Sequence, residues 1–286
     1  MNSKFRFAHI SDLHVPPMPS VQFEELLNKR VVGYLSWQCK RKKEYHEHVL
    51  ETLLEYLATL QLDHICMTGD LVNIGLQQEF EQSVLWIQQF QAIADISLVP
   101  GNHDAYVPVS LDFMHRYWDE WVPGEFPAYT EKDGIALIGL SSAVPTLPFM
   151  AFGKIDSDQL ANFEKILQRA QKNNLFTIVM LHHPPQQIQG GWHKGLHKAK
   201  AFREVIARVG ADLILHGHLH KPIHTNLVGP GGARVPVYGV GSASLQHEHK
   251  EHNAHFHVFN VMDGAFEVGH HYYDESMQAF STKQPK

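Results

Sequence analysis

The chain has 286 residues with 44% apolar content, enough for one sizeable α/β core. Its net charge of −6 argues against a stable nucleic-acid partner, because the sequence carries no global basic field. Neither a signal peptide nor a stretch of roughly 20 apolar residues is found, so we expect a cytoplasmic protein. The two cysteines, Cys39 and Cys66, are expected to be reduced thiols rather than a disulfide or a zinc site.

Short apolar runs predict buried strands along the chain. They are Phe5–Ile10, His64–Met67, Ile96–Val99, Ile135–Leu140, Phe176–Leu181, Leu213–Leu215, Val235–Val240, His255–Val261 and Phe266–Tyr273. Apolar residues spaced three or four apart predict helices at Glu44–Leu60, Gln77–Phe90, Asp156–Ala170 and Lys198–Val209. Strands that alternate with helices indicate an α/β fold, and the strand-rich last third predicts a second sheet packed on the first.

Five predicted strand ends carry Asp, Asn or His side chains. They are Asp12-Leu13-His14, Gly69-Asp70, Gly101-Asn102-His103-Asp104, His182-His183 and Gly217-His218-Leu219-His220. In an extended segment residues i and i+2 point to the same side, so Asp12 is expected to aim with His14 and His218 with His220. Because ligands gather at the carboxyl ends of strands in open α/β sheets, we expect these motifs to form one site.

The donors of this set are oxygen and imidazole nitrogen, which suit divalent Mn, Fe, Co, Ni or Zn. The seven candidate ligands are Asp12, His14, Asp70, Asn102, His182, His218 and His220. Two ions that share one carboxylate would use all seven, and Asp70 is the natural bridge. Such a pair can clamp a phosphoryl group and activate water. Asp-x-His or Gly-Asp alone is more often an ordinary turn, but all five motifs in this order are a specific signal.

The order of these motifs resembles that of the calcineurin-like metallophosphoesterases, D-x-H, G-D, G-N-H-[DE], H and G-H-x-H, over roughly positions 5 to 245. The resemblance implies an αββα four-layer sandwich, with two packed mixed β-sheets flanked by helices, and a dinuclear metal site. It implies that the first ion is held by Asp12, His14, Asp70 and His220. The second ion would be held by Asp70, Asn102, His182 and His218, with His183 the less favoured ligand of its pair.

The resemblance also implies catalytic roles within the Gly101–Asp104 motif. His103 would face the substrate phosphate, where it stabilises the transition state or protonates the leaving oxygen, and Asp104 would orient His103. The implied reaction is hydrolysis of a phosphodiester or phosphoanhydride by a metal-bridging hydroxide. Two divalent ions would serve as cofactors, with Mn, Fe or Zn favoured.

The substrate class stays open at this point. The plain layout of the motifs is similar to bacterial cyclic-nucleotide phosphodiesterases, whereas the basic, aromatic segment 28–43 resembles members that cleave UDP-diacylglucosamine in lipid A synthesis. The expected substrate is therefore a small phosphodiester, a nucleotide or a nucleotide-sugar-lipid. A non-catalytic scaffold on the same fold is a further alternative, which the complete ligand set and His103 disfavour.

Residues 28–43 carry six positive charges in an otherwise acidic chain. One interpretation is contact with an anionic substrate or with the inner face of a membrane, and the other is a solvated loop and helix edge. We expect one domain over residues 1–275, with 16–43 as an insertion that borders the active site and 276–286 as a C-terminal tail.

A second segment beside the site, Gln189–Lys198, contains three glycines and follows the His182-His183 motif. Trp192, His193 and His197 are its candidate substrate contacts. Local packing or exposure to solvent is the alternative for all three side chains.

Overall fold

The computed structural model describes residues 4–188, 191–247, 249 and 252–282. Its strands are β1 (Phe5–Ile10), β2 (His64–Met67), β3 (Asp95–Leu98), β4 (Ala128–Lys132), β5 (Ile135–Gly139), β6 (Gly153–Lys154), β7 (Phe176–Met180), β8 (Leu196–His197), β9 (Leu213–His216), β10 (Ile223–Val228), β11 (Arg234–Gly239), β12 (His255–Met262), β13 (Ala265–Asp274) and β14 (Ala279–Ser281). Its α-helices are α1 (Arg30–Cys39), α2 (Glu47–Ala58), α3 (Gln77–Gln91), α4 (Pro108–Tyr117), α5 (Ser157–Lys172), α6 (Gly191–Lys194) and α7 (Ala199–Val209). Short 3-10 turns lie at Phe23–Leu26, Arg41–Lys43 and Pro230–Gly232.

Two mixed sheets of six strands each form the centre of the molecule. The first has the order β14-β13-β12-β1-β2-β3, with β1, β2 and β3 parallel. The second has the order β10-β11-β9-β7-β5-β4, with β11, β9, β7 and β5 parallel. The carboxyl ends of the parallel strands therefore meet at one edge of each sheet, where the sequence motifs follow.

The strand alternation explains the four layers. Phe7 on β1 stacks on Phe259 of β12 at 4.9 Å and belongs to an apolar cluster that both sheets share. Its neighbours Ala8 and Ile10 face the other way, into a cluster with helices α2, α3 and α4. The second sheet packs its outer face on α5 and α7. The structure is therefore the αββα sandwich expected from the sequence, with three apolar clusters between its layers. Burial of each large apolar side chain in these clusters contributes roughly 1.5–3 kcal/mol to the free energy of folding.

The C-terminal segment differs from its expected role as a tail. Ala279–Ser281 forms β14 and pairs antiparallel with β13 at the edge of the first sheet. The ring of Phe280 is buried and lies 5.4 Å from that of Tyr273. Burial of this aromatic ring stabilises the pairing of β14 with the sheet. Residues 283–286 lie outside the described part of the chain.

Candidate metal centre and active site

The loops after β1, β2, β3, β7 and β9 carry the motif residues and are tied to one another by backbone hydrogen bonds. The amide of Asp12 donates to the carbonyl of Gly69 at 2.8 Å, and that of His14 donates to the carbonyl of Asp70 at 3.0 Å. The amide of His218 donates to Oδ2 of Asp12 at 3.0 Å, which joins the two sheets. All seven candidate ligands are therefore brought to one edge of the sandwich.

The ligand loops are not extended, and in this respect the sequence expectation for Asp12 and His14 was wrong. Both residues have left-handed backbones, with φ of 53° and 40°, and so do Asp70, His218 and His220. Such a conformation costs a non-glycine residue about 1–3 kcal/mol and persists only where the surroundings impose it. The side chains converge because the chain turns sharply, not because residues i and i+2 share a strand face.

A first group of donors consists of Asp12, His14 and His220, whose ligand atoms lie within 4.8 Å of one another. Oδ1 of Asp12 is 3.0 Å from Nε2 of His220. The ring of His14 donates from Nδ1 to the carbonyl of Val72 at 3.1 Å, because a carbonyl oxygen can only accept. Nε2 of His14 is buried without a hydrogen-bond partner, as expected for a nitrogen that holds a metal ion.

A second group consists of Asp70, His182 and His218, again within 4.8 Å of one another. Nδ1 of His182 donates to the carbonyl of Thr68 at 2.6 Å, which leaves Nε2 3.2 Å from Oδ2 of Asp70 and 3.2 Å from Oδ1 of Asn102. Nε2 of His218 is buried without a partner. The side chain of Asp70 also lies within 4.8 Å of His14, so it is adjacent to both groups.

The electrostatics of the second group fit a cation. Burial lowers the pKa of His182, but the neighbouring Asp70 carboxylate outweighs it and raises this pKa to about 9. Burial likewise opposes ionisation of Asp70, and its pKa is nevertheless lowered by His182. The buried Asp70 carboxylate therefore favours a positive charge beside it, and a divalent ion held by this group would supply one.

His103 lies beside both groups and faces the cavity. Its Nδ1 donates to the carbonyl of Asn73 at 2.5 Å, and its amide donates to Oδ1 of Asp70 at 2.6 Å. The ring is packed edge-on against His14 at 4.8 Å and stacks on Tyr106 at 5.5 Å. This arrangement places His103 on the wall of the cavity, with Nε2 3.1 Å from the guanidinium of Arg41.

The side chain of Asp104, which was expected to orient His103, hydrogen-bonds to the backbone amides of other residues. Its Oδ2 accepts from the amides of Asp70 and Gly101, both at 2.8 Å. Its Oδ1 accepts from the amides of Leu71 at 2.9 Å and Val72 at 3.2 Å. Both oxygens are used on backbone donors, so Asp104 positions the loop that carries the Asp70 ligand. Burial and the charge of Asp70 raise the pKa of Asp104 to about 7.

A cavity of about 550 Å³ opens over His103, a size typical of small-molecule sites. Its outer wall is basic, with Lys40, Arg41, Lys194 and Lys221 among the lining residues. The sequence did not single out Arg41, whose guanidinium lies 3.1 Å from Nε2 of His103. It could have been suspected only as one of six charges in the segment 28–43.

The predicted substrate contacts Trp192, His193 and His197 do not line this cavity within the described part of the chain. Trp192 is 69% exposed, and His197 stacks on Phe152 at 3.9 Å. Nδ1 of His193 lies 3.2 Å from Sδ of Met150. Thus His193 and His197 make local contacts, Trp192 is exposed, and Lys194 is a described residue of this segment that lines the cavity. Gln189 and Gly190, which begin the segment, lie outside the described residues.

Comparison with known families identifies the class of protein that this fold and site define. A family model described as calcineurin-like phosphoesterase matches residues 5–222. The chain therefore belongs to the calcineurin-like phosphoesterase family, and the predicted family is confirmed. A Synechococcus protein named "Probable cyclic nucleotide phosphodiesterase" is 32% identical over 173 residues, which cover 56% of this chain. The match spans only 58% of that relative's length.

Solved structures share the fold. A purple acid phosphatase from yellow lupin seeds (Lupinus luteus) superimposes with a TM-score of 0.59 at 14% identity, over 95% of this chain and 52% of that one. A dimetal phosphatase from Danio rerio gives 0.58 at 11% identity, over 92% and 98% of the two chains. At these identities the likeness confirms the fold class alone. Within the described part of the chain, no helix has the length and apolarity that crossing a membrane requires.

Proposed function

We propose that this protein is a dinuclear metal-dependent phosphohydrolase that cleaves a phosphodiester or phosphoanhydride in a small nucleotide-type substrate, with cyclic nucleotides as the first candidates. The convergence of two buried donor groups around Asp70 carries this proposal. Membership of a phosphoesterase family and the name of the Synechococcus relative support the reaction class. The expected place of action is the cytoplasm.

The seven donors fit two divalent ions of the Mn, Fe or Zn type. Asp12, His14, Asp70 and His220 would hold one ion, and Asp70, Asn102, His182 and His218 the other. The partnerless Nε2 atoms of His14 and His218 support this assignment. When bound, the ions supply a water of lowered pKa and neutralise charge on the phosphoryl oxygens.

The residues around the ions orient the substrate and handle the proton of the leaving group. Asp104 fixes the loop of Asp70 through four backbone hydrogen bonds, so this ligand does not have to reorganise on binding. His103 is held by Asn73 with Nε2 toward the cavity, where it contacts the leaving oxygen. The buried setting strengthens each of these polar contacts relative to water.

The decisive experiment is turnover of Mn-loaded protein with cyclic AMP, bis(p-nitrophenyl) phosphate and nucleotide anhydrides. His103→Ala should retain both ions and lose a factor on the order of 10²–10⁴ in rate, the range for a general acid or base. Metal content is measured in parallel by elemental analysis. Full turnover by this variant would contradict the role of His103, and a protein that binds two ions but cleaves no ester would be a scaffold instead.

A second candidate function is cleavage of a lipid-bearing nucleotide sugar such as UDP-diacylglucosamine. The observation that favours it is a set of four exposed apolar side chains in the segment 16–43: Phe23 and Leu27 at the first 3-10 turn, and Val31 and Leu35 on α1. These side chains are 73%, 69%, 40% and 57% exposed. Together with the basic residues of 28–43, these exposed side chains suit peripheral contact with an anionic membrane.

The two candidates predict different responses to lipid. Release of UMP from UDP-diacylglucosamine, stimulated by anionic vesicles and weakened by Leu35→Gln, would favour the second. Turnover of soluble cyclic AMP that is insensitive to vesicles and to Leu35→Gln would favour the first. Co-sedimentation with the same vesicles measures membrane contact separately from catalysis.

A further inference from the structure

The insertion 16–43 is attached to the sandwich by buried polar contacts at the start of α1. Nε of Arg30 donates to the carbonyl of Ile74 at 3.0 Å, and its guanidinium also bonds the carbonyl of Gly75. Nζ of Lys29 donates to Oγ1 of Thr146 at 2.6 Å. Hydrogen bonds from charged donors are roughly twice as strong as neutral ones, so this end of the helix is well fixed.

The rest of α1 is held by close packing. A Cβ atom at Gly33 would collide with the hydroxyl of Tyr106 and with the side chain of Ile74, so the helix backbone lies directly on the domain. At the far end, the buried Trp37 stacks on Tyr45 at 6.2 Å. The Tyr45 hydroxyl in turn lies 3.3 Å from Nδ1 of His220, one of the ligands. The geometry of the insertion is thus coupled to the metal centre.

The 3-10 turn after α1 brings Arg41 into the cavity. Its carbonyl accepts from the amides of Glu44 at 2.9 Å and Tyr45 at 3.0 Å, which fixes the backbone at this position. Nη2 of Arg41 donates to Nε2 of His103 at 3.1 Å, and Nη1 lies 3.4 Å from Nδ1 of the same ring. The guanidinium also lies over the ring of Tyr45 at 5.8 Å.

Arg41 has hydrogen-bonding capacity that its described contacts do not use. A guanidinium offers five N–H donors, and one imidazole nitrogen accepts only one of them. Among the described residues, no carboxylate forms an ion pair with Arg41. A cation held beside two divalent ions is repelled by them unless an anion binds between. The space between the guanidinium of Arg41 and the two donor groups is therefore suited to an anionic ligand.

We propose that Arg41 is a catalytic residue supplied by the insertion, and that its guanidinium binds a nonbridging phosphoryl oxygen of the substrate. This inference rests on the proposed function. The planar guanidinium can bind two phosphoryl oxygens with two parallel N–H donors, a geometry that the ammonium group of lysine does not offer. On substrate binding, the donor that now bonds Nε2 of His103 turns to the phosphate. Nε2 is thereby released, and with the guanidinium charge neutralised by the phosphate it takes a proton from water, which it then donates to the leaving oxygen.

The test compares wild type with Arg41→Ala and Arg41→Lys, all loaded with Mn. Arg41→Ala should lose about 10²- to 10³-fold in kcat/KM for a phosphodiester, the range for one preorganised donor to the transition state. Arg41→Lys should have an intermediate rate, because it keeps the positive charge but lacks the planar pair of N–H donors. Added guanidinium ion should restore part of the activity of Arg41→Ala, a rescue that a purely structural role would not give.

Binding of inorganic phosphate, measured by calorimetry on the same proteins, gives a readout independent of turnover. Arg41→Ala should bind phosphate at least roughly tenfold more weakly, since a charge-assisted hydrogen bond contributes about 1.5–3 kcal/mol. Arg234→Ala removes an exposed arginine of β11 and is the matched control, with unchanged values expected.

The outcomes separate this inference from the proposed function. If Arg41→Ala equals wild type in rate and in phosphate affinity while His103→Ala is impaired, the inference is overturned and the proposed function stands. If wild type cleaves no ester, the proposed function fails, and the phosphate affinities still decide the role of Arg41. Equal metal contents by elemental analysis are required throughout, so that a lost ion is not mistaken for a lost anion contact.

Discussion

The ligand loops and the insertion 16–43 border the same cavity, but they are built by different rules. In the ligand loops Asp12, His14 and His182 are fully buried, and a left-handed backbone occurs at five of the seven ligand positions. In the insertion Phe23 and Leu27 are largely exposed, and the position of the helix depends on contacts such as those of Gly33 and Arg30. The ligand loops need particular residue types, because only certain side chains can act as candidate metal ligands. In residues 16–43, packing fixes where the helix lies but leaves the type of most exposed residues free.

The largest effect is expected from Asp70→Ala, because Asp70 is the candidate ligand that lies next to both donor groups. Asp70 is adjacent to both donor groups, so the variant should lose both ions and at least on the order of 10⁴ in phosphodiester turnover. Elemental analysis after dialysis measures the loss of metal. The exposed Asp112→Ala, on α4, is the matched control for removal of one carboxylate. Retention of two ions by Asp70→Ala would disprove the shared-ligand assignment.

The same difference explains what the sequence could predict. The convergence of the candidate ligands with His103, the central strands of both sheets and the helices α2, α3, α5 and α7 were predictable, because oxygen and nitrogen donors recur at strand ends and apolar periodicity marks the core. The backbone function of Asp104 was not predictable, since nothing in the sequence shows that the amides of residues 70–72 require an acceptor. Arg41 was obscured because five other cations surround it within residues 29–43.

The helices α1, α4 and α6 and the strands β4, β6, β8, β10 and β14 were missed for a related reason. Helix α1 exposes Val31 and Leu35 and has a glycine near its centre, a pattern that does not indicate a buried helix face. Strand β14 has only three residues, of which Phe280 alone is buried. Such short or exposed elements are fixed by tertiary contacts that local propensity cannot report.

A substitution in α1 should affect turnover without affecting the metal. In Gly33→Val the new side chain meets Tyr106 and Ile74, so the helix must shift and move Arg41 away from His103. We expect about a tenfold loss of kcat/KM with two ions retained, and a loss of about 1–3 kcal/mol in the free energy of unfolding from overpacking. Steady-state kinetics and urea denaturation measure the two quantities.

Gln38→Val introduces the same side chain at an exposed position of α1 and should leave both quantities unchanged. If Gly33→Val also left kcat/KM unchanged, the position of the insertion would not matter for the reaction. Loss of metal from Gly33→Val would mean that the insertion and the ligand loops are one mechanical unit, through the contact between Tyr45 and His220.

The smallest expected effect concerns a buried histidine that belongs to neither region. His64 on β2 bonds Oγ of Ser97 at 2.9 Å, and burial, followed by the charge of Lys132, lowers its pKa to about 4. An unfolded chain binds a proton at this side chain below pH 6.5, before the folded protein does. The stabilisation is therefore complete above pH 6.5 and is lost progressively as the pH falls toward 4.

Between pH 7 and pH 5 this linkage amounts to about 1–2 kcal/mol of unfolding free energy. Urea denaturation of metal-free wild type should show that loss relative to His64→Gln, whose amide can keep the bond to Ser97 without titrating. The exposed His115→Gln should follow wild type. Because acid also removes metal from the ligand loops, holoprotein should lose more stability than apoprotein over the same range. If His64→Gln lost as much unfolding free energy as wild type between pH 7 and pH 5, the prediction for His64 would be wrong. The acid sensitivity of the apoprotein would then come from other buried histidines of the first sheet, such as His255.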